Sequence, residues 1–236
     1  TARGDNIMIT VRKSAERGHS NIGWLDARFS FSFADYYDPA HIGFGPLRVI
    51  NEDHIAAGAG FGEHGHADME IVSYIVAGAM AHRDSMGNAT FIRPGEIQRM
   101  TAGTGIRHAE MNPSPTEAIH SFQIWIVPER RGLTPSYEQV TIPATRPGGL
   151  DLIASRARHD HAVVIHQDVD LYRATPGDGA AVTMSVAAGR GVWIQTVRGD
   201  ATVNGVGLTV GDAAAITGET ALTLAGDAEL LVFDMA

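Results

Sequence analysis

Two short pairs of metal-binding side chain types stand out: His64-Gly65-His66 and, 42 residues on, His108-Ala109-Glu110. Each pair places its side chains at i and i+2, which is one face of an extended strand. Two neighbouring strands of this kind can aim three imidazoles and one carboxylate at a single point. Such a donor set suits iron, nickel, cobalt, copper or zinc better than calcium or magnesium. A metal site is the expected centre of the chemistry.

The elements that must position these residues read as strands. Ile7, Ile9 and Val11 alternate, and so do Phe29, Phe31 and Phe33; the phenylalanines are expected in the core. Glu70 to Val76, Ile97 to Met100, Ile106 to Met111 and Phe122 to Val127 carry further period-two patterns. Turn signals separate them at Ser85-Met86-Gly87-Asn88, Pro94-Gly95, Ala102-Gly103-Thr104-Gly105 and Asn204-Gly205, the last a type I′ hairpin candidate. Convincing helices are few and short. The pattern predicts an all-β sandwich or barrel of the jelly-roll type.

Pro128 to Gly149 changes character, with four prolines and a Glu129-Arg130-Arg131-Gly132 charge cluster, and reads as a connector holding at most one short element. The expected organisation is a metal-binding barrel over 1–135, a linker over 136–149 and a second barrel over 150–236. The halves also repeat weakly. Aligning Gly78 with Gly199 puts Ser185 and Ala187 where His64 and His66 stand. Aligning Gly95 with Gly211 puts Leu224 and Gly226 where His108 and Glu110 stand, so the second barrel is expected to lack metal.

The composition narrows the classes. At 236 residues and 44% hydrophobic, the chain suits one large or two small globular domains. The formal charge of −9 argues against a broad nucleic-acid-binding face. No apolar run is long enough for a membrane span, and Thr1 to Asp5 lead into a strand pattern with no secretory segment, so a cytoplasmic location is expected. The chain has no cysteine, which removes disulfides and thiolate ligands.

Other histidines have blander readings. His159 and His161 form a further H-x-H, with His166 beyond, but no G-x2-H partner follows, and a solvated edge strand is the better account. His19, His41, His54, His82 and His120 have no partner at ligand spacing and read as surface or hydrogen-bonded histidines.

The grammar around the first pairs is more specific. Gly58, His64, His66 and Glu70 spell G-x5-H-x-H-x3-E, and Gly105, His108 and Asn112 spell G-x2-H-x3-N. These resemble the two cupin motifs, except that the second lacks the proline usual ahead of it. The stretches 44–53 (FGPLRVINED), 64–74 (HGHADMEIVSY) and 100–112 (MTAGTGIRHAEMN) resemble the pirin family. Residues 82–88 (HRDSMGN) are similar to its bacterial branch, which includes quercetin 2,3-dioxygenases. The close match spans about 20 to 127, and residues 150 to 236 fit the family's degenerate second barrel.

The resemblance implies two tandem cupin barrels (a bicupin). It also implies one divalent metal per chain on His64, His66, His108 and Glu110, with iron favoured and nickel, cobalt, copper, manganese or zinc as alternatives. Gly65 stands where the family often has proline, which is expected to loosen the loop. Glu110, or Glu70 where it is free, is the expected catalytic base; Glu70 is otherwise a structural group or, as in germin-like cupins, a ligand. Asn112 and Gln98 are candidate hydrogen-bonders around the site, and Tyr74, Phe44 and Met69 candidate pocket walls.

The implied activity is dioxygenase cleavage of a flavonol such as quercetin with O2, releasing carbon monoxide and a depside. Two other readings stand beside it. One is a metal-binding interaction or regulatory protein with a protein partner, as eukaryotic pirins are linked to transcription-factor binding. The other is a cupin isomerase or hydrolase that needs no oxygen.

Overall fold

The computed structural model describes residues 8–236, so Thr1 to Asp5 and the first member of the Ile7, Ile9, Val11 alternation lie outside the described residues. Contacts divide the chain into two compact units, one of residues 17–142 and 155–167, the other of 143–154, 168–236 and the described residues up to Glu16. Among the described residues the only helical turn is the 3-10 segment Ser14–Glu16. The all-β expectation holds.

The first unit is a sandwich of two antiparallel sheets. Its larger sheet runs in the spatial order Ser136–Thr141, Glu96–Thr101, Glu70–Ala77, Ile119–Ile126, Leu47–Ile55, Leu25–Phe29, Gly18–Asn21. The smaller runs Gly60–His66, Ile106–Met111, Met80–Asp84, Ala89–Ile92.

Period-two side chains lay three layers across this unit. One apolar cluster gathers Ile71, Met100, Ala102 and Ile106, with Met69 and Trp125 against it. Another gathers Ile55, Ile75, Met80, Ile92 and Ile119, with Trp24 and Phe61. Between them, Gln98, Ser73, Gln123 and Asn51 stand directly opposite one another on four adjacent strands. The sequence cause is visible on one strand, where Ile71 and Ile75 flank Ser73 at two-residue steps. Each buried aliphatic contributes about 1.5–3 kcal/mol, whereas a buried polar row without partners is costly. Two of its members, Ser73 and Gln123, find their partner in Glu110 of the smaller sheet.

The second unit is built on a sheet in the order Met8–Arg12, Ala213–Thr217, Gly191–Val203, Ala221–Met235, Val169–Thr175, Gly149–Ser155. Val182–Ser185 pairs with the start of Ala221–Met235, much as Gly60–His66 pairs with Ile106–Met111. The aligned glycines have matching surroundings. Gly78 (φ 79°) lies against the backbone of Ala118 and Ile119, and Gly199 (φ 67°) against that of Asp227 and Ala228. Leu222 and Leu224 belong here to an apolar core with Val182, Ile194 and Ile216.

The expected bounds need correction in three places. Met8–Arg12 pairs with Ala213–Thr217, because Ile9 and Val11 pack on the second unit's core. The expected linker contains Ser136–Thr141, which pairs with Glu96–Thr101 and is tied to it by Arg99 Nη2 donating to Glu138 (3.1 Å). Residues 155–167 belong to the first unit, where Arg99 Nε donates to the Val164 carbonyl at 2.7 Å. The phenylalanine alternation also stops early, since the strand ends at Phe29, although Phe29 and Phe31 are buried as expected. Asn204 and Gly205 both have positive φ (47° and 82°), as a type I′ turn requires.

Candidate metal centre

The strands Gly60–His66 and Ile106–Met111 are hydrogen-bonded neighbours, with His64 directly opposite His108 and His66 opposite Ile106. A register shift between His108 and Glu110 places Glu110 opposite Phe61. Nitrogen atoms of His64, His66 and His108 lie within 4.8 Å of one another. The Nε2 atoms of His64 and His108 are 3.0 Å apart, and the His66 ring centre is 4.9 Å from that of His108.

The protonation of this cluster follows from its surroundings. Burial, then the neighbouring His108 and His64, push His66 down to about 4. Burial, then His64 and His82, push His108 down to about 3. Both rings are therefore neutral at pH 7, the form that offers a lone pair to a metal. His64 Nδ1 is 2.8 Å from the Gly62 carbonyl, which can only accept, so the proton of the neutral ring sits on Nδ1. Its bare Nε2 faces His108.

Glu110 is buried, with Oε1 accepting from Ser73 Oγ (3.3 Å) and Oε2 from Gln123 Nε2 (2.8 Å). Its carboxylate groups with His82 and His108, again within 4.8 Å, so His108 is common to both clusters. Asp53, also buried, is raised to about 7 by burial and by the charge of Glu110. The donor chemistry fits a divalent transition metal: three imidazole nitrogens converge, His108 links them to a second group that holds His82 and the Glu110 carboxylate, and buried His108 Nδ1 has no hydrogen-bond partner. Beside His66 runs an open groove of about 470 Å³ bordered by Ala67, Ser85, Ile106 and Arg107. The Trp125 ring stands edge-on to His66 at 4.9 Å.

Several expected residues sit elsewhere. Glu70 is not brought to the histidines: its strand parity is opposite to Ser73, and its Oε2 accepts from Thr101 Oγ1 (3.1 Å) and the His166 backbone N–H (3.3 Å). That corrects the expectation of Glu70 as base or ligand, and gives His166 a place in the first unit. Tyr74 shares the parity of Glu70, so it does not wall this site, whereas Met69 packs beside Ile106 and Trp125. Phe44 forms an isolated bridge with Leu47.

Gly65 lies within a strand opposite Arg107, not in a loop, and a Cβ there would meet only ordinary contacts from 3.6 Å outward. Asn112 Nδ2 donates to the carbonyls of Ile55, Ala56 and Glu117, a clamp on the chain rather than on a ligand. Gln98 stands in the buried polar row beside Ser73, with its Oε1 unpartnered. His159 forms an isolated bridge with Ala162 in a turn, and His161 Nδ1 lies by the Thr141 carbonyl, so neither is on the expected edge strand.

Sequence reasoning missed three groups. His82 is fully enclosed beside His108 and pairs across strands with Glu110, which only the strand register reveals. Ser73 and Gln123 hold Glu110, and only strand pairing reveals it. His54 and His120, cross-strand partners, stack at 4.2 Å, and His120 Nε2 lies 3.0 Å from Glu52. Glu52 is held at about 2 because, against burial, the His120 hydrogen bond and the buried Arg17 favour its charge.

Residues 10–126 match the family described as pirin, and residues 152–235 match one described as the quercetinase C-terminal cupin domain. A relative from Escherichia coli O157:H7 named quercetin 2,3-dioxygenase is 49% identical over 230 residues, covering 97% of this chain and 99% of that protein. The crystal structure of YhhW from Escherichia coli superposes with a TM-score of 0.94 at 49% identity, covering 97% of this chain and 98% of that one. A structure of bacterial pirin YhhW from Escherichia coli in complex with nickel(II) gives 0.92 at 48% identity, with 97% and 99% covered.

Proposed function

This chain belongs to the pirin family of two-domain cupins, and from that premise we propose that it is a metal-dependent dioxygenase opening the heterocycle of a flavonol such as quercetin. The observation that carries the reading is the convergence of His64, His66 and His108, neutral where their state is set, on a point flanked by buried Glu110. In this reading those four residues are the ligands, with iron favoured and nickel, cobalt, copper, manganese or zinc as alternatives. When bound, a divalent ion supplies a Lewis acid that makes the 3-hydroxyl of the flavonol acidic and gathers it with dioxygen.

The chain's own groups do the rest. The Gly62 carbonyl fixes the His64 tautomer so that Nε2 faces inward. Ser73 and Gln123 spend their donors on Glu110, which keeps that carboxylate oriented and leaves it lone pairs for a metal or for the 3-hydroxyl proton. Trp125 and Met69 offer an apolar wall beside His66 suited to a planar aromatic ring, and displace water from that side.

Oxygen uptake by metal-loaded protein tests the reading. Quercetin should be consumed with O2, and flavonoids lacking the 3-hydroxyl should be disfavoured on the order of 10⁴-fold. Equal rates for both would refute flavonol cleavage. A chain that binds metal and shows no oxygen-dependent turnover would leave the interaction-protein reading in its place.

A further inference from the structure

Two buried nitrogens on neighbouring strands lack hydrogen-bond partners. His82 and His108 are both enclosed, their ring centres are 5.4 Å apart, and neither Nδ1 has a hydrogen-bond partner. Each is costly in isolation, because a buried polar atom without a partner keeps its full desolvation penalty. A proton placed on one of them would give the other a donor.

The state of His82 is set from behind. Asp84 Oδ1 accepts the backbone N–H groups of Met86 and Asn88, and Oδ2 accepts Asn88 Nδ2 at 2.8 Å. Such a carboxylate is ionised and can only accept. His82 Nε2, at 3.2 Å from Oδ2, therefore carries its ring's proton, and in the neutral ring Nδ1 is a bare acceptor. His108 stands in one of two states. With His64 Nε2 bare and 3.0 Å away, the His108 proton sits on Nε2 in metal-free protein. Once His108 Nε2 gives its lone pair to a metal, the proton of the neutral ring must sit on Nδ1, a buried donor in need of an acceptor.

We propose that His82, backed by Asp84, is the positioning residue of the metal centre: it accepts the Nδ1 proton of His108 when metal binds, so that loading switches the His108 tautomer. This inference rests on the ligand reading above. The chain Asp84, His82, His108 would fix the His108 ring angle and raise its basicity as a ligand.

Zinc, which is diamagnetic, is the probe. Zinc titration of the chelator-stripped chain should give one site in the wild type, weakened about 10- to 100-fold in His82→Leu. His82→Asn, whose Oδ1 replaces Nδ1 as an acceptor, should recover most of the affinity. Thermal unfolding of the metal-free variants confirms that both are folded. In parallel, nitrogen-15 histidine spectra should show His108 protonated on Nε2 without zinc and on Nδ1 with it.

The outcomes separate. If the wild type itself takes up no zinc at one per chain, the ligand reading fails. Should the wild type bind zinc and folded His82→Leu bind it equally well, the ligand reading stands and the role of His82 is overturned. It is overturned too if His82→Asn is as weak as His82→Leu, or if His108 keeps its proton on Nε2 with zinc bound.

Discussion

At the scale of residues, the site is a set of imidazoles, with the Gly62 carbonyl against His64 and the Asp84 carboxylate against His82. Glu110 and Glu70 part company: Glu110→Gln should weaken metal binding, while Glu70→Gln should leave metal content intact and lower the melting temperature, because its contacts are Thr101 and His166. Metal lost only from the Glu70 variant would reverse the assignment. Buried imidazoles also set a pH dependence. In metal-free protein His66 and His108 stay unprotonated down to about 4 and about 3, whereas in the unfolded chain they take up protons below about 6.5. The unfolded state binds more protons across that window, so their contribution is full above about pH 6.5 and is lost as pH falls toward 3. Urea midpoints between pH 7 and 4.5 should thus drop less in a His66→Asn, His108→Asn double variant than in wild type; parallel profiles would contradict this. The spacing of His64, His66, His108 and Glu110 was legible in the sequence because i, i+2 pairs share a strand face. His82, Ser73 and Gln123 were not, since their proximity depends on which strands become neighbours.

At the scale of elements, the centre depends on two strands approaching closely. A Cβ at Gly60 would collide with the Glu110 carbonyl oxygen and meet Met111 Cα at 2.6 Å, while one at Gly62 would meet nothing within 4 Å. Gly60→Ala should therefore push on the strand that carries His108 and Glu110, lowering both stability and metal affinity, and Gly62→Ala should change neither by much. Calorimetric melting and metal titration of the pair check this, and equal behaviour would mean that the strand spacing is not limiting. The alternation of Ile71, Ser73 and Ile75 announced a strand but not the polar layer, because a single serine between isoleucines is equally consistent with a solvent-facing position. Its burial is decided by the sheet laid over it.

At the scale of the whole molecule, the two-barrel organisation was readable from the aligned glycines Gly78 and Gly199, but the bounds were not. Proline and charge density at 128–149 suggested a linker, yet Ser136–Thr141 completes a sheet edge and residues 155–167 return to the first unit. A fragment of residues 17–142 should accordingly melt lower than one of 17–167, since it loses His166 against Glu70 and the Val164 carbonyl against Arg99; equal melting would show that the return segment contributes nothing. The proposed function belongs to this scale as well, because flavonol cleavage would need the ligands, the polar layer and the apolar wall together. Carbon monoxide released per quercetin consumed, by wild type and His66→Ala loaded with the same metal, tests that most directly. About one carbon monoxide per quercetin is expected in the wild type, with loss of both oxygen uptake and carbon monoxide in the variant. The same rate and yield from both proteins would contradict the proposed function.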